Sequence, residues 1–238
     1  MRPSLIALAA AVLSLVWLAA AGPLYQLGVL PLPWAFGLMR WAAYAGIAAT
    51  LIALAVGVWA YRRKVWLGTA VAAMALVIGF TAFFIPYRWQ RRLESVPPIH
   101  DISTDLQNPP EFKAILALRG DGANPLERPP VVADQQRRAY GDIAPITIPV
   151  PPDQAFEEAL LAAQEAEWQI ADADKQSGRI EATDATPWFG FKDDIVVRLT
   201  AWGAGTRVDV RSVSRIGVSD AGANAQRIRE FLAVLQAK

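Results

Sequence analysis

His100 is the single histidine of the chain, and Asp101, Ser103, Thr104 and Asp105 follow it within five positions. Imidazole, carboxylates and hydroxyls this close are the parts of a general acid–base pair, a Ser-His-Asp nucleophile or a cation site. Zinc needs more nitrogen or thiolate ligands than one histidine supplies. The chain has no cysteine, which removes disulfides, iron–sulfur clusters and cysteine nucleophiles and leaves no cofactor or metal implied. A hard cation on Asp101, Asp105 and nearby carbonyls is one alternative, and a hydrolase using His100 and the aspartates is another. No G-x-S-x-G elbow presents a serine, however. The plainer reading is structural: Asp101, Ser103, Thr104 and Asp105 bond nearby backbone and fix turns. Asn108-Pro109-Pro110 then forces extension, and the motif pins a strap to a sheet.

Two further clusters carry chemistry-bearing types. Trp188, Phe189 and Phe191 surround Gly190, followed by Lys192, Asp193 and Asp194. The aromatics suit a hairpin tip, either packed in a core or touching lipid or a partner. The two aspartates are adjacent, so on a strand they point to opposite faces, which defeats a simple carboxylate dyad. The third cluster runs from Arg211 through Arg215 and Asp220 to Asn224, leaving a strand and entering the last helix. Ser219 or Asp220 is placed to cap that helix, and its free amides with Arg215 nearby would also suit an anion. An Asp193 or Asp194 pairing with Arg211 or Arg215 would contribute little if exposed.

The elements that must position these residues fall into contrasting regions. Of 238 residues, 54% are hydrophobic, and the excess sits at the start. No acidic side chain precedes Glu94, and ahead of Arg88 only Arg2, Arg40, Arg62, Arg63 and Lys64 are charged. Residues 4–21, 41–61 and 65–86 are apolar and long enough for membrane spans, and lipid requires such segments to be helices. Trp17, Trp34, Trp41, Trp59, Trp66, Tyr87 and Trp89 fall near the expected ends, where amphipathic rings suit the interface. Arg2 followed by an apolar run ending in Leu18-Ala-Ala-Ala-Gly22 also has the pattern of a cleavable signal peptide. Basic side chains divide equally between the two sides of a three-span arrangement. The N-terminal amine tips the balance toward an inside N-terminus and a non-cytoplasmic C-terminal domain; Arg88, Arg91 and Arg92 argue the other way. From Arg88 onward acids outnumber bases, an acidic balance that does not suit nucleic acid.

Residues 93–145 are rich in proline, which disfavours long helices and central strands. Ile99, Ile102, Phe112, Ile115, Leu116 and Tyr140 make this an apolar strap lying on the next domain, with a short helix within 112–118. Over 146–238 the periodicities give β-α-β-β-β-β-α, with strands at 146–150, 168–173, 179–185, 195–202 and from 208 on. Phe156, Ala159, Leu160 and Ala163 define one helix, entered at Pro151-Pro152 with Asp153 as cap. Ile228, Phe231, Leu232 and Leu235 define the other. The fold class is α+β: three transmembrane helices, then an antiparallel sheet covered by two helices.

HDISTDLQNPPEF, YGDIAPITI (140–148), GRIEATDATPWFGFKDDIVVRL (178–199) and VDVRSVSRIGVSDAGANAQRI (208–228) resemble the domain-of-unknown-function 1499 family across roughly 95–238. The resemblance implies a bacterial protein, often with membrane spans ahead of the domain, and no established activity. The strand–helix order is similar to helix-grip modules of an envelope assembly lipoprotein, an analogy of topology alone. Three functions fit. The first is a membrane-anchored binding or scaffold protein of the bacterial cell envelope, multi-pass in the inner membrane with a periplasmic domain and an envelope protein as partner. The second is a lipid-binding or lipid-sensing module, and the third an envelope hydrolase working through His100.

Overall fold

The computed structural model describes residues 1–237, which fall into two compact units. The first comprises residues 1–92 with Pro187–Gly190, and the second the described residues from 93–186 and from 191 onward.

The first unit is built on α1 (Arg2–Gln26), α2 (Leu32–Arg62) and α3 (Trp66–Ser95), each long and apolar enough to cross a membrane. All three extend beyond the apolar runs that announce them. Pro23 and Pro86 lie inside α1 and α3 rather than ending them, because a proline forfeits one amide bond and neighbouring turns carry the helix on. The buried positions are almost all small: Ala7, Ala11 and Ser14 on α1, Ala42, Gly46 and Ala49 on α2, Ala72, Ala75 and Gly79 on α3. Small residues let helix backbones approach closely where apolar side chains gain nothing from leaving lipid. At the α2–α3 crossing a Cβ on Gly46 would stand 2.7 Å from the Gly79 carbonyl oxygen. Phe189 belongs to this unit, its ring centroid 5.5 Å from Phe36 and 6.0 Å from Tyr25. Trp188 donates its indole N–H to the Ala19 carbonyl at 3.3 Å.

The second unit has the α+β fold. Its elements are β1 (Asp101–Ser103), a 3-10 turn (Ala114–Leu118), α4 (Pro130–Ala139), β2 (Ile146–Ile148), α5 (Pro152–Glu165), β3 (Gln169–Asp174), β4 (Arg179–Ala185), β5 (Lys192–Trp202), β6 (Gly205–Ser214) and α6 (Ala223–Gln236). The six strands form one antiparallel sheet in the order β1-β6-β5-β4-β3, with β2 also on β6. On one face Ile180, Ala182, Ile195, Val197, Leu199, Val208 and Val210 meet Phe156, Ala159 and Ala163 of α5 and Ile228, Phe231, Leu232 and Leu235 of α6. Trp168 stacks on Phe231 at 4.9 Å. The other face is covered by the strap, whose Phe112 and Ile115 pack on Val196 and Val213.

Two expectations need correction. The strap holds a ten-residue helix, α4, where the only helix expected was a short one within 112–118. Pro129 and Pro130 stand at its start, where a missing N–H is no loss. Asp153 does not cap α5; Pro151 occupies the N-cap, and Asp153 lies in the first turn, where its charge complements the helix dipole.

Candidate functional site

Strand alternation distributes the chemistry-bearing residues between the two faces of the sheet. Asp193 and Asp194 are both buried and diverge, as adjacent strand residues must.

Asp194 points to the strap side. Arg215 brackets it, donating from Nη2 at 2.7 Å and from Nε at 3.0 Å, and Thr183 donates its hydroxyl at 2.9 Å. Arg119, from the strap, pairs with the other carboxylate oxygen. On the same face Glu181, fully buried, accepts the backbone N–H groups of Lys113 (2.8 Å) and Ile115 (2.9 Å) and pairs with Arg179. Arg211 holds Asp101 with two bonds, of 3.1 and 2.8 Å, and donates to the carbonyls of Pro110 and Leu126. Arg215 does the same for Leu118 at 2.8 Å. Sheet side chains thus grip the backbone of the strap, and ion pairs neutralise the charges that do so. Burial lowers the Arg119 pKa against the opposing pull of Asp194, and Arg215 and Arg211 lower it further. Burial also lowers Arg128, against the attraction of Asp101.

Asp193 points to the helix side. Arg227 of α6 donates to it at 2.7 Å and to Asp184 at 2.7 and 2.9 Å. Burial would lower the Arg227 pKa, but Asp193 and Asp184 outweigh it and raise the value. Asn224 accepts from Ser212 at 2.6 Å and donates to the His100 carbonyl at 3.0 Å. Asp220 accepts the N–H groups of Gly222 (2.7 Å) and Asn224 (3.0 Å) at the start of α6. Burial raises its pKa, with Asp193 adding to the effect and the two amides opposing it.

In the opening motif the hydroxyls and carboxylates bond backbone groups and arginines. His100 is half-buried with Nδ1 3.4 Å from the Val218 carbonyl oxygen. Ser103 donates its hydroxyl to the Asp105 carbonyl at 2.9 Å, and Thr104 accepts the Val210 N–H at 2.9 Å. Asp105 accepts the N–H groups of Gln107 and Asn108 and pairs with Arg207 at 2.9 Å. Burial pushes its pKa up, but those amides with Arg207 and Arg198 outweigh it, leaving the value lowered. Asp101 departs from the local-turn reading, since its carboxylate is taken by Arg211 rather than by nearby backbone. No group of three or more His, Asp or Glu placed to hold a metal occurs among the described residues.

Of the aromatic cluster, Phe191 closes the β4–β5 loop by accepting the Thr186 N–H at 2.9 Å. Lys192 is exposed and its carbonyl accepts the Arg215 N–H. The anion reading at α6 loses its partners: Arg215 is turned to Asp194 across the sheet, and Asp220 takes the free amide of Asn224. Sequence reading missed Arg119, Arg128, Gln136, Glu181 and Arg227. A signal for Glu181 was present: in Ile180-Glu181-Ala182-Thr183 apolar residues mark the helix side, so the alternate positions must face something polar. Nothing local marked the others.

A membrane-helix region followed by an α+β domain whose charges are tied into structural networks is the class these observations define. A family model described as "Protein of unknown function (DUF1499)" matches residues 101–235, more than half of the chain, and the chain belongs to that family. No curated protein matches the chain. Among solved structures it is similar to TTHA0849 from Thermus thermophilus, at 17% identity and a TM-score of 0.28, over 40% of this chain and 92% of that one. A likeness this slight carries no argument about fold or activity.

Proposed function

We propose that the chain is a membrane-anchored binding or scaffold protein of the bacterial cell envelope. In this reading residues 1–92 anchor it in the inner membrane, and 93–145 with 146–238 form a periplasmic module that presents a surface rather than a reaction centre. One observation carries the proposal. The carboxylates best suited to chemistry, Asp101, Asp193 and Asp194, each have an arginine partner in the buried interior, and His100 is 3.4 Å from a backbone carbonyl rather than bonded to a hydroxyl nucleophile. The space between the sheet and its helices is filled by Phe156, Trp168 and Phe231, which favours a scaffold over a lipid carrier.

The test is topology. Alkaline phosphatase, or separately a cytoplasm-folding fluorescent protein, is fused after Lys238 in a Gram-negative host. Phosphatase activity without fluorescence is the expected result. Fluorescence without phosphatase activity would overturn the envelope assignment and move the partner search to the cytoplasm. His100→Ala separates scaffold from hydrolase: a lost phenotype at unchanged stability would favour the enzyme.

A further inference from the structure

At one end of the first unit the start of α1, the end of α2 and the start of α3 meet. A Cβ on Gly68 of α3 would stand 3.3 Å from Ser4 Oγ of α1 and 3.6 Å from the Ala60 Cβ of α2. Arg2 thus shares this end with Arg62, Arg63 and Lys64, and all four are exposed. No acidic side chain belongs to the unit, so nothing within it neutralises them. Two helices start here, neither with an acid in its first turn, and one ends. Two positive dipole ends therefore face outward against one negative. The opposite end holds as many basic side chains, Arg40, Arg88, Arg91 and Arg92, but the reverse count of helix termini, and Glu94 follows on α3.

The turn between α2 and α3 carries three of the four cations in succession. Val65 donates its N–H to the Ala60 carbonyl at 2.9 Å and Lys64 to the Tyr61 carbonyl at 3.0 Å, the paired bonds that close a helix on a left-handed residue. That residue is Lys64, with φ +55°. Glycine adopts this conformation without steric cost and a side chain does not. The chain carries backbone strain where a glycine would relieve it, and gains a third cation there. The exposed rings of Tyr61 and Trp66 meet edge to face at 5.8 Å beside the turn. Such rings sit at the level of lipid headgroups.

We propose that this end of the bundle binds anionic phospholipid, whose phosphate oxygens accept from Arg62, Arg63 and Lys64 while Arg2 and the two helix starts add attraction. Guanidinium forks match phosphate geometry, and the lysine adds a point charge. A zwitterionic headgroup brings its own cation and leaves the excess charge standing; a headgroup of net negative charge cancels it. An acidic protein would have to reach these residues through the headgroup layer that already fills their level. The site rests on the membrane embedding of residues 1–92. It is independent of the scaffold reading and of the side of the membrane that the second unit occupies.

The test titrates the purified full chain in detergent with phosphatidylglycerol or with phosphatidylcholine of the same acyl chains. Bound lipid is counted by native mass spectrometry, and the thermal midpoint is recorded beside it. Saturable binding of phosphatidylglycerol, at least about tenfold tighter than phosphatidylcholine, is expected. Replacing Arg62, Arg63 and Lys64 together by Gln is expected to weaken it by about a hundredfold. Arg40→Gln with Arg88→Gln, at the opposite end, is expected to change it by less than about threefold. Lys64→Gly separates binding from folding. It is expected to raise the midpoint in lipid-free detergent, by relieving the left-handed residue, and to weaken phosphatidylglycerol binding by about fivefold. Equal affinity for the two lipids, or unchanged phosphatidylglycerol affinity in Lys64→Gly or in the folded triple variant, overturns the proposal. Displacement of phosphatidylglycerol by an equal concentration of inorganic phosphate would assign a free-anion site and overturn it as well.

Discussion

The two faces of the sheet are covered by different physics. On the helix side, aliphatic and aromatic side chains from β4, β5 and β6 meet α5 and α6 in one continuous core, and the driving force is removal of apolar surface from water. On the strap side, a small apolar patch around Phe112 and Ile115 is surrounded by Glu181, Asp194, Arg211 and Arg215, which bind the strap largely through its backbone. The difference separates strength from specificity. Apolar packing tolerates shape-conserving exchange, whereas a buried ion pair tolerates little, because removing one partner strands the other. The strap side therefore holds one chain path in one register, at some expense in desolvation.

Breaking the comparison begins with its strongest element. Phe231→Ala removes the ring stacked on Trp168 and is expected to lower stability by about 4 kcal/mol, read by denaturant unfolding of the second unit in the detergent-solubilised chain. Asp194→Ala leaves Arg119 and Arg215 facing each other without their shared carboxylate and is expected to lower it by about 3 kcal/mol. Because that cluster is buried, raising salt should not restore the loss; recovery in high salt would show the strap-side network to be a surface feature.

Asp220 sharpens the comparison through pH. Its folded pKa is raised above the ordinary 3.8, by burial first and Asp193 second. The folded state therefore binds its proton more tightly than the unfolded chain does, and stability rises as pH falls from neutral toward 3.8. Asp220→Asn is expected to abolish that rise in denaturant midpoints measured across the range; an unchanged profile would assign it elsewhere. Asp142, whose pKa Arg229 lowers mainly through their hydrogen bond, works in the opposite sense, losing stability as pH falls through the carboxylate range. The Arg229–Asp142 pair is substantially exposed, and Arg229→Gln is expected to cost under about 0.5 kcal/mol and to become neutral in high salt.

Much of the second unit was legible because periodicity is local. The β-α-β-β-β-β-α order, the apolar faces of α5 and α6 and the divergence of Asp193 from Asp194 follow from spacings of two and 3.6 residues. So does the membrane character of the first 87 residues, which an unbroken absence of acids makes plain. The helix α4 was hidden because Pro125, Pro129 and Pro130 read as breakers when two of them stand at its start. Hidden too were the partners of the carboxylates. Asp194 meets Arg119 across 75 positions and Asp101 meets Arg211 across 110, and no local pattern encodes such pairings. Element type is set by interactions between residues a few positions apart, and these the chain declares by itself. The neutralisation of each buried charge depends on which distant segments share a dry interior, and only the tertiary structure decided it.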